Sequence, residues 1–472
     1  MAQLSTPAAA LESWGGLWSA MEPAALVAAI REAADPQSSG AHDARRAHFA
    51  RLEQLATQLE AWLGADASAE RSADAGAQGA CGAAASALRL AVEQEQWGAA
   101  LALVRGMRKL CAYGETHATR VVSNLERLER LELLDGAGVM AVLAALLRAD
   151  HGVTVREERE LVAAACGLAM DLLRSDKLCE ASGGAGVCEA IVEALQQHVS
   201  DAAVAERACA AIANLAYTNS DNRVLLSRAG ACQAVVAALK QHVASNVAAV
   251  RQACSAIRDL TRDDTQLTLA AVGACEAVVA ALRQHMSDAE AAEQACGAIS
   301  NLAVNNGNKL TLARAGACEA VVAALQQHML VAEVVYLACN TIEGLALNCD
   351  NRVLLGTAGA CEAVVEALRQ HLAVTKVARS ACGAVINLAL NDSNNTALGR
   401  AGACAAVTVA LHHQLLEAAT AQCQVTCHAI SNLARGDANK AALAHAGACE
   451  AVVAALQQHL GIPELAEHAC RA

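Results

Sequence analysis

The stretch Ala315-Gly316-Ala317-Cys318-Glu319-Ala320-Val321-Val322-Ala323-Ala324-Leu325-Gln326-Gln327-His328 recurs with few changes along most of this chain. Near copies begin at Gly186, Gly230, Gly273, Gly359, Gly402 and Gly447. Counting Gly316, the successive glycine spacings from Gly186 are 44, 43, 43, 43, 43 and 45 residues. A fixed period in the forties, with helical patterning inside it, marks a solenoid in which each repeat buries its apolar face only against its neighbours.

Working outward from the glycine, each copy reads as three helices. A short one precedes it, as at 222–228, and Asn recurs at its start (Asn222, Asn308, Asn351, Asn394, Asn439), where a side-chain oxygen can cap free backbone N–H groups. The glycine permits a sharp turn. A second helix then runs to a histidine (His198, His242, His285, His328, His371, His413, His459). A third follows a short connection. In its instance at 201–216 the apolar positions Val204, Ala208, Cys209, Ile212 and Leu215 recur mostly at spacings of three and four, so one face packs inward. The period begins near Leu134 with a degenerate copy at Gly138. About seven repeats follow, and a last one ends within its third helix.

The division expected is 1–133, a helical N-terminal cap, and 134–472, the array. Within the cap, helices are expected near 23–33, 41–62, 83–112 and 116–134, with an Ala/Gly/Ser-rich linker near 64–82. All four tryptophans fall in this region. The incomplete last repeat leaves an apolar face for the natural chain to continue over, or for another molecule to cover by self-association.

Composition agrees with helix throughout. Of the 472 residues 55% are apolar, mainly Ala, Val and Leu, with one Phe, three Tyr and four Pro. Small residues let helices approach closely. The net charge of −13 divides into roughly −5 before residue 138 and −8 after it. Such a chain repels nucleic acid and anionic membrane surfaces. Every apolar run is interrupted by Glu, Arg, Gln or His before it could span a bilayer, so no membrane insertion is expected. The N-terminus lacks the basic start and apolar stretch of a secretory signal. Most of the 20 cysteines occupy two fixed places in the repeat, in apolar helical context where a free thiol behaves as a small hydrophobe. A reduced cytoplasmic protein is expected, with the nucleus as a second location.

The arrangement resembles the armadillo repeat family. The resemblance rests on the small-residue turn before the second helix, on third-helix segments such as Ala295-Cys296-Gly297-Ala298-Ile299-Ser300-Asn301-Leu302-Ala303, and on Asn-Arg or Asn-Lys pairs at Asn222, Asn308, Asn351 and Asn439. It covers most of the chain, about 134–472, and implies an all-α, right-handed superhelical solenoid. A HEAT array of two helices per unit is the alternative, disfavoured by the extra short helix. The Gly-Ala-Cys-Glu-Ala and Leu-Arg/Gln-Gln-His flavour is similar to the armadillo region of leucine-rich-repeat kinases, which would make this a regulatory scaffold region of a larger protein.

In that family third-helix Asn residues line a concave groove and bond an extended peptide. The matching positions here are Asp171, Asn214, Asp259, Asn301, Gly344, Asn387 and Asn432. An amide supplies donor and acceptor to a peptide bond; the same amides could instead satisfy neighbouring backbone. Arg251, Arg258, Tyr336, Asn340, Glu343, Arg379 and His428 would flank the groove. Nuclear import adaptors of the family carry Trp four residues before each Asn. Those positions hold Gly167, Ala210, Ser255, Gly297, Asn340, Gly383 and His428, which disfavours that function.

Chemistry is not indicated. Cys423, Cys427 and His428 are the one local ligand cluster, but Cys427 is an ordinary repeat position, so a core thiol is the better reading and no metal is expected. The repeat histidines, stacked about 10 Å apart, are too distant to share an ion and read as helix C-terminal residues favoured by the dipole. P-loop, nucleophile-elbow and kinase signatures are absent, and no cofactor is implied. The expected function is a non-enzymatic scaffold that binds a protein or peptide in the third-helix groove. An architectural or oligomerisation module is the alternative.

Overall fold

The computed structural model describes residues 28–29, 54–55, 57, 80–93, 97–111, 138–149, 154–262, 265–416, 420–459 and 463–471. Of the expected helices near 23–33 and 41–62 only residues 28–29, 54–55 and 57 are described, and the one near 116–134 and most of the expected linker lie outside the described residues. The chain divides into two units, Met1–Ala231 and Cys232–Ala472.

The first unit contains α1 (Ala80–Glu93), α2 (Trp97–Cys111), α3 (Val139–Arg148), α4 (Val155–Leu172), α5 (Asp176–Ala185), α6 (Val187–Gln197), α7 (Ala202–Thr218) and α8 (Ser220–Ala229). The single expected helix at 83–112 is thus two helices. Helices α2, α4 and α7 stack in one layer and α1, α3 and α6 in a second, while α5 lies on α8. The pair α1–α2 therefore occupies the places of a second and third helix.

The units divide at the start of α9 (Ala231–His242), which leads into α10 (Val247–Leu260). Three-helix turns follow: α11–α13 (Gln266–Ala271, Ala274–Gln284, Ala289–Leu302), α14–α16 (Asn306–Arg314, Ala317–Gln327, Ala332–Leu345) and α17–α19 (Cys349–Thr357, Ala360–Gln370, Thr375–Leu388). The last two turns are α20–α22 (Asp392–Ala401, Ala403–Leu416, Thr420–Leu433) and α23–α25 (Asp437–His445, Ala448–Gln458, Pro463–Arg471). Third helices α10, α13, α16, α19, α22 and α25 pack in sequence, as do second helices α12, α15, α18, α21 and α24 and first helices α11, α14, α17, α20 and α23. Among the described residues there is no strand. The fold is an all-α solenoid with three helices per turn.

The repeat cysteines Cys254, Cys296 and Cys382 are wholly buried among Ala, Val, Leu and Ile. The core is built from small side chains because the period brings like residues of adjacent repeats face to face. Each repeat glycine has positive φ, from 66° at Gly138 to 89° at Gly230, a conformation that costs other residues about 1–2 kcal/mol.

The glycine also has a second role. Arg283, on the second helix of one turn, donates from Nη2 to the carbonyl of Gly316 in the next, 3.1 Å away. A Cβ at Gly316 would overlap that guanidinium. Arg148 reaches Gly186 O (2.9 Å), Lys240 reaches Val272 O (2.9 Å) and Arg369 reaches Ala401 O (2.9 Å) in the same way. From these four second helices a long cation thus lies over the turn that opens the following repeat.

The Asn residues expected to cap the short helices do something else. The caps are three residues earlier: Asn219, Asn305, Asn348 and Asn391 each accept from the backbone N–H of Asn222, Asn308, Asn351 and Asn394. Asn222, Asn308, Asn351, Asn394 and Asn439 are buried in the third helical position. Their Nδ2 groups donate one repeat back, to the carbonyls of Cys179 (2.6 Å), Gln266 (3.2 Å), Lys309 (3.1 Å), Arg352 (2.7 Å) and Asn395 (2.9 Å). Burial explains the assignment, since an amide away from water must find a partner and the stacked neighbour offers one.

The histidines at the second-helix ends bridge repeats as well. Nε2 of His285, His328 and His371 lies 2.7, 2.7 and 2.6 Å from the carbonyls of Val243, Met286 and Met329. A carbonyl only accepts, so each ring carries its proton on Nε2. His413 lies inside α21, which continues to Leu416, and does not end its helix.

Candidate functional site: the third-helix face

The third helices hold their Asn residues near the C-terminal end of each helix, half buried and one repeat apart. Asn214 donates from Nδ2 to Met170 O (2.9 Å) within the first unit. In the second unit Asn301 reaches Arg258 O (2.8 Å), Asn387 reaches Glu343 O (2.8 Å) and Asn432 reaches Ile386 O (3.1 Å). Each amide is thus tied to the preceding helix through one of its N–H bonds. The second N–H and both lone pairs of Oδ1 are outside these bonds.

Where Asp replaces Asn the chemistry changes. Asp259 is 2% exposed and is flanked by Arg258 (3.3 Å) and Arg262 (3.4 Å). A buried carboxylate without such partners would be costly. Gly344 contributes no side chain, so Asn301 and Asn387 are separated by a gap in the row.

The flanking residues are largely engaged with one another. Arg251 pairs with Asp288 and with Glu290 (2.8 Å), and the Arg251 guanidinium holds the Asp288 carboxyl below its ordinary range. Asn340 donates to Ser300 Oγ (2.7 Å). Lys376 pairs with Glu333 and lies 5.3 Å from the centre of the Tyr336 ring, within cation–π range. Burial raises the Glu343 carboxyl above its ordinary range, opposed by Arg379. Burial and the nearby Glu333 do the same to Glu293. The face is mixed in charge, with acidic groups at its centre.

Gly383 and Gly297, at two of the positions where import adaptors carry Trp, are seats for the preceding repeat. A Cβ on Gly297 would lie 2.8 Å from Arg258 Cδ, and one on Gly383 would overlap the Glu343 carboxylate. His428, at a third such position, stacks on His468 with ring centres 4.2 Å apart and planes 9° from parallel. Its imidazolium form is disfavoured by burial, by His468 and by Arg471. Cys423 and Cys427 face the core, where burial pushes their thiols up to about 11 and about 12.

Sequence reasoning missed an apolar row beside the amides. Val304, Leu347 and Leu390 follow α13, α16 and α19 and are 71%, 60% and 37% exposed. They stand three residues after Asn301, Gly344 and Asn387, so the repeat offset carried the signal. An exposed apolar residue recurring at one register position on consecutive repeats differs from singly scattered ones.

With that geometry in view, comparison with known proteins can be stated. No family model matches the chain, and no curated protein matches it. Solved structures do. An engineered protein matches over 96% of this chain and 98% of its own, with TM-score 0.71 at 20% identity. A structure described as showing a conserved phosphorylation switch that controls the interaction between cadherin and beta-catenin matches over 95% of this chain and 84% of that one, with TM-score 0.69 at 14% identity. These likenesses concern the fold.

Proposed function

We propose that this protein is a non-enzymatic scaffold whose third-helix face in the second unit binds a segment of a protein partner. The observation that carries the reading is the paired rows: half-buried amides at Asn301, Asn387 and Asn432, and exposed Val304, Leu347 and Leu390 at the adjoining register. Asn301 and Asn387 present Oδ1 and one N–H to the backbone of an extended or helical segment. The apolar row takes its side chains, and Arg258, Tyr336, Glu343 and Arg379 select among sequences by charge. Asn340 and Asp259, already bonded within the array, hold neighbouring groups in place. The cadherin interaction named for the beta-catenin structure is one precedent for protein binding on this fold. Fifteen buried free thiols support a reducing compartment, the cytoplasm or nucleus, and no described helix is long and apolar enough to cross a membrane.

The test is selection of binding peptides from a random display library on the full chain, followed by affinity measurements on variants. Asn301→Ala with Asn387→Ala should weaken the selected peptides about tenfold or more. Leu347→Ser, which removes an exposed side chain without touching the inter-repeat bonds, should weaken them too. Peptides that bind both variants as tightly as the parent would place the interaction elsewhere.

A further inference from the structure

The third helices of the last two turns, α22 and α25, pack directly on each other, and their junction holds a pair of stacked histidines. The rings of His428 on α22 and His468 on α25 have centres 4.2 Å apart and planes 9° from parallel. Leu465, His468 and Ala469 share one face of α25, and Leu465 and Ala469 are buried. His468 thus stands on the packed side of its helix rather than on the solvent side. Two neutral imidazoles can stack in this way, whereas two imidazolium ions at that distance repel.

The junction is built for uncharged rings. Nδ1 of His468 is buried and has no hydrogen-bond partner among the described residues. An imidazolium donates from both nitrogens, so it would leave that N–H without an acceptor. Glu467 could offset a charge on His428, but Arg471 engages it at 2.7 Å. Burial first, then His468 and Arg471, hold His428 below its ordinary value of 6.5, and Glu467 opposes them. All three of these charged or titratable neighbours belong to α25. The other elements packed on α22 bring Lys376 and Arg379 of α19, His412 and His413 of α21 and His459 of α24, and none of them adds to the charges acting on His428.

We propose that protonation of His428 releases α25 from α22, so that acid opens the last turn of the array. A proton on His428 meets His468 and Arg471 while α25 is docked and escapes both once it leaves. The docked state therefore binds fewer protons than the released one. Docking is at full strength above the ordinary imidazole range and weakens as pH falls through it, by up to about tenfold per pH unit for the one proton excluded. Release uncovers Leu465 and Ala469 together with the side of α22 on which α25 packs. His428 stands one turn before Asn432 on α22, so the switch acts at the edge of the proposed binding face. It holds whether or not that face takes a partner.

Hydrogen exchange on the full chain between about pH 7.5 and about pH 5, with each rate divided by its intrinsic value, tests the proposal. Protection of the α25 amides is expected to fall with pH while protection in α13 holds, which separates local release from unfolding of the array. His428→Phe keeps a flat ring for the stack and takes no proton, so α25 protection in that variant should stay level. Arg471→Gln changes a side chain that is 64% exposed, so folding is not at issue. In that variant the ring protons of His428, followed by NMR, should titrate at a higher pH than in the parent. A histidine that only packs would show no such movement. Level α25 protection in the parent, a loss that persists in His428→Phe, or an unmoved His428 titration in Arg471→Gln overturns the proposal.

Discussion

Gly316→Ala is a substitution whose cost separates into two parts that can be measured. The first is conformational: φ at Gly316 is 83°, and placing a side chain there costs about 1–2 kcal/mol. The second is steric, because the new methyl group overlaps the Arg283 guanidinium and displaces it from the Gly316 carbonyl. That hydrogen bond is exposed, so its loss contributes no more than about 1 kcal/mol after solvent screening. Gly359 is the natural control. Its φ is 87°, yet the nearest group to a Cβ there is Gln326 Nε2 at 3.5 Å. Gly359→Ala should therefore cost only the first part, and Gly316→Ala about 2–3 kcal/mol. Replacing Arg283 with Ala should remove the difference. Hydrogen exchange of the amides in α15 and α18 reads local opening without assuming that the array unfolds in one step. Equal costs at the two glycines within about 0.3–0.5 kcal/mol, or no coupling between Gly316 and Arg283 in the double-mutant cycle, would refute the reasoning.

Two further outcomes follow from burial. Cys254 and Cys296 are held near pKa 12 by desolvation, so at pH 8 their thiolate fraction is about a thousandfold below that of a thiol near 9. Among the cysteines of described burial, mass spectrometry after brief native alkylation should find Cys349, Cys449 and Cys470 modified first; labelling of Cys296 at the rate of Cys349 would contradict the packing. Glu343 is raised in the folded state, so its contribution favours folding below the ordinary carboxylate range and is lost as pH rises through the raised value. Glu343→Gln, neutral at every pH, should raise the urea midpoint at pH 7 and leave it unchanged near pH 4, and a lower midpoint at pH 7 would show that the electrostatic attraction of Arg379 outweighs burial instead.

Much of the architecture is written in the period. The recurrence of Gly-Ala-Cys at 43 residues, the three-and-four spacing of the third helix and the paucity of Pro and aromatic residues were enough to read three stacked helices per turn. This is because helix propensity and apolar periodicity act within one repeat. The site was less legible. Asn301, Asn387 and Asn432 could be placed on one face from sequence, whereas the apolar row at Val304, Leu347 and Leu390 was hidden among loop residues.

The sequence by itself determined that there is a solenoid, where each turn begins, and which residues share a register. It could not tell Asn219 from Asn222: both are polar, both open a short helix, and both suit a cap. Only stacking decided that Asn219 caps its own helix while Asn222 donates to Cys179 on the neighbouring one. The same holds for the glycine that opened the reading, whose turn is local but whose bare Cα seats Arg283 from the turn before. Such choices belong to the tertiary structure because the partner lies a full repeat away, and periodicity records that a residue recurs without recording what it touches.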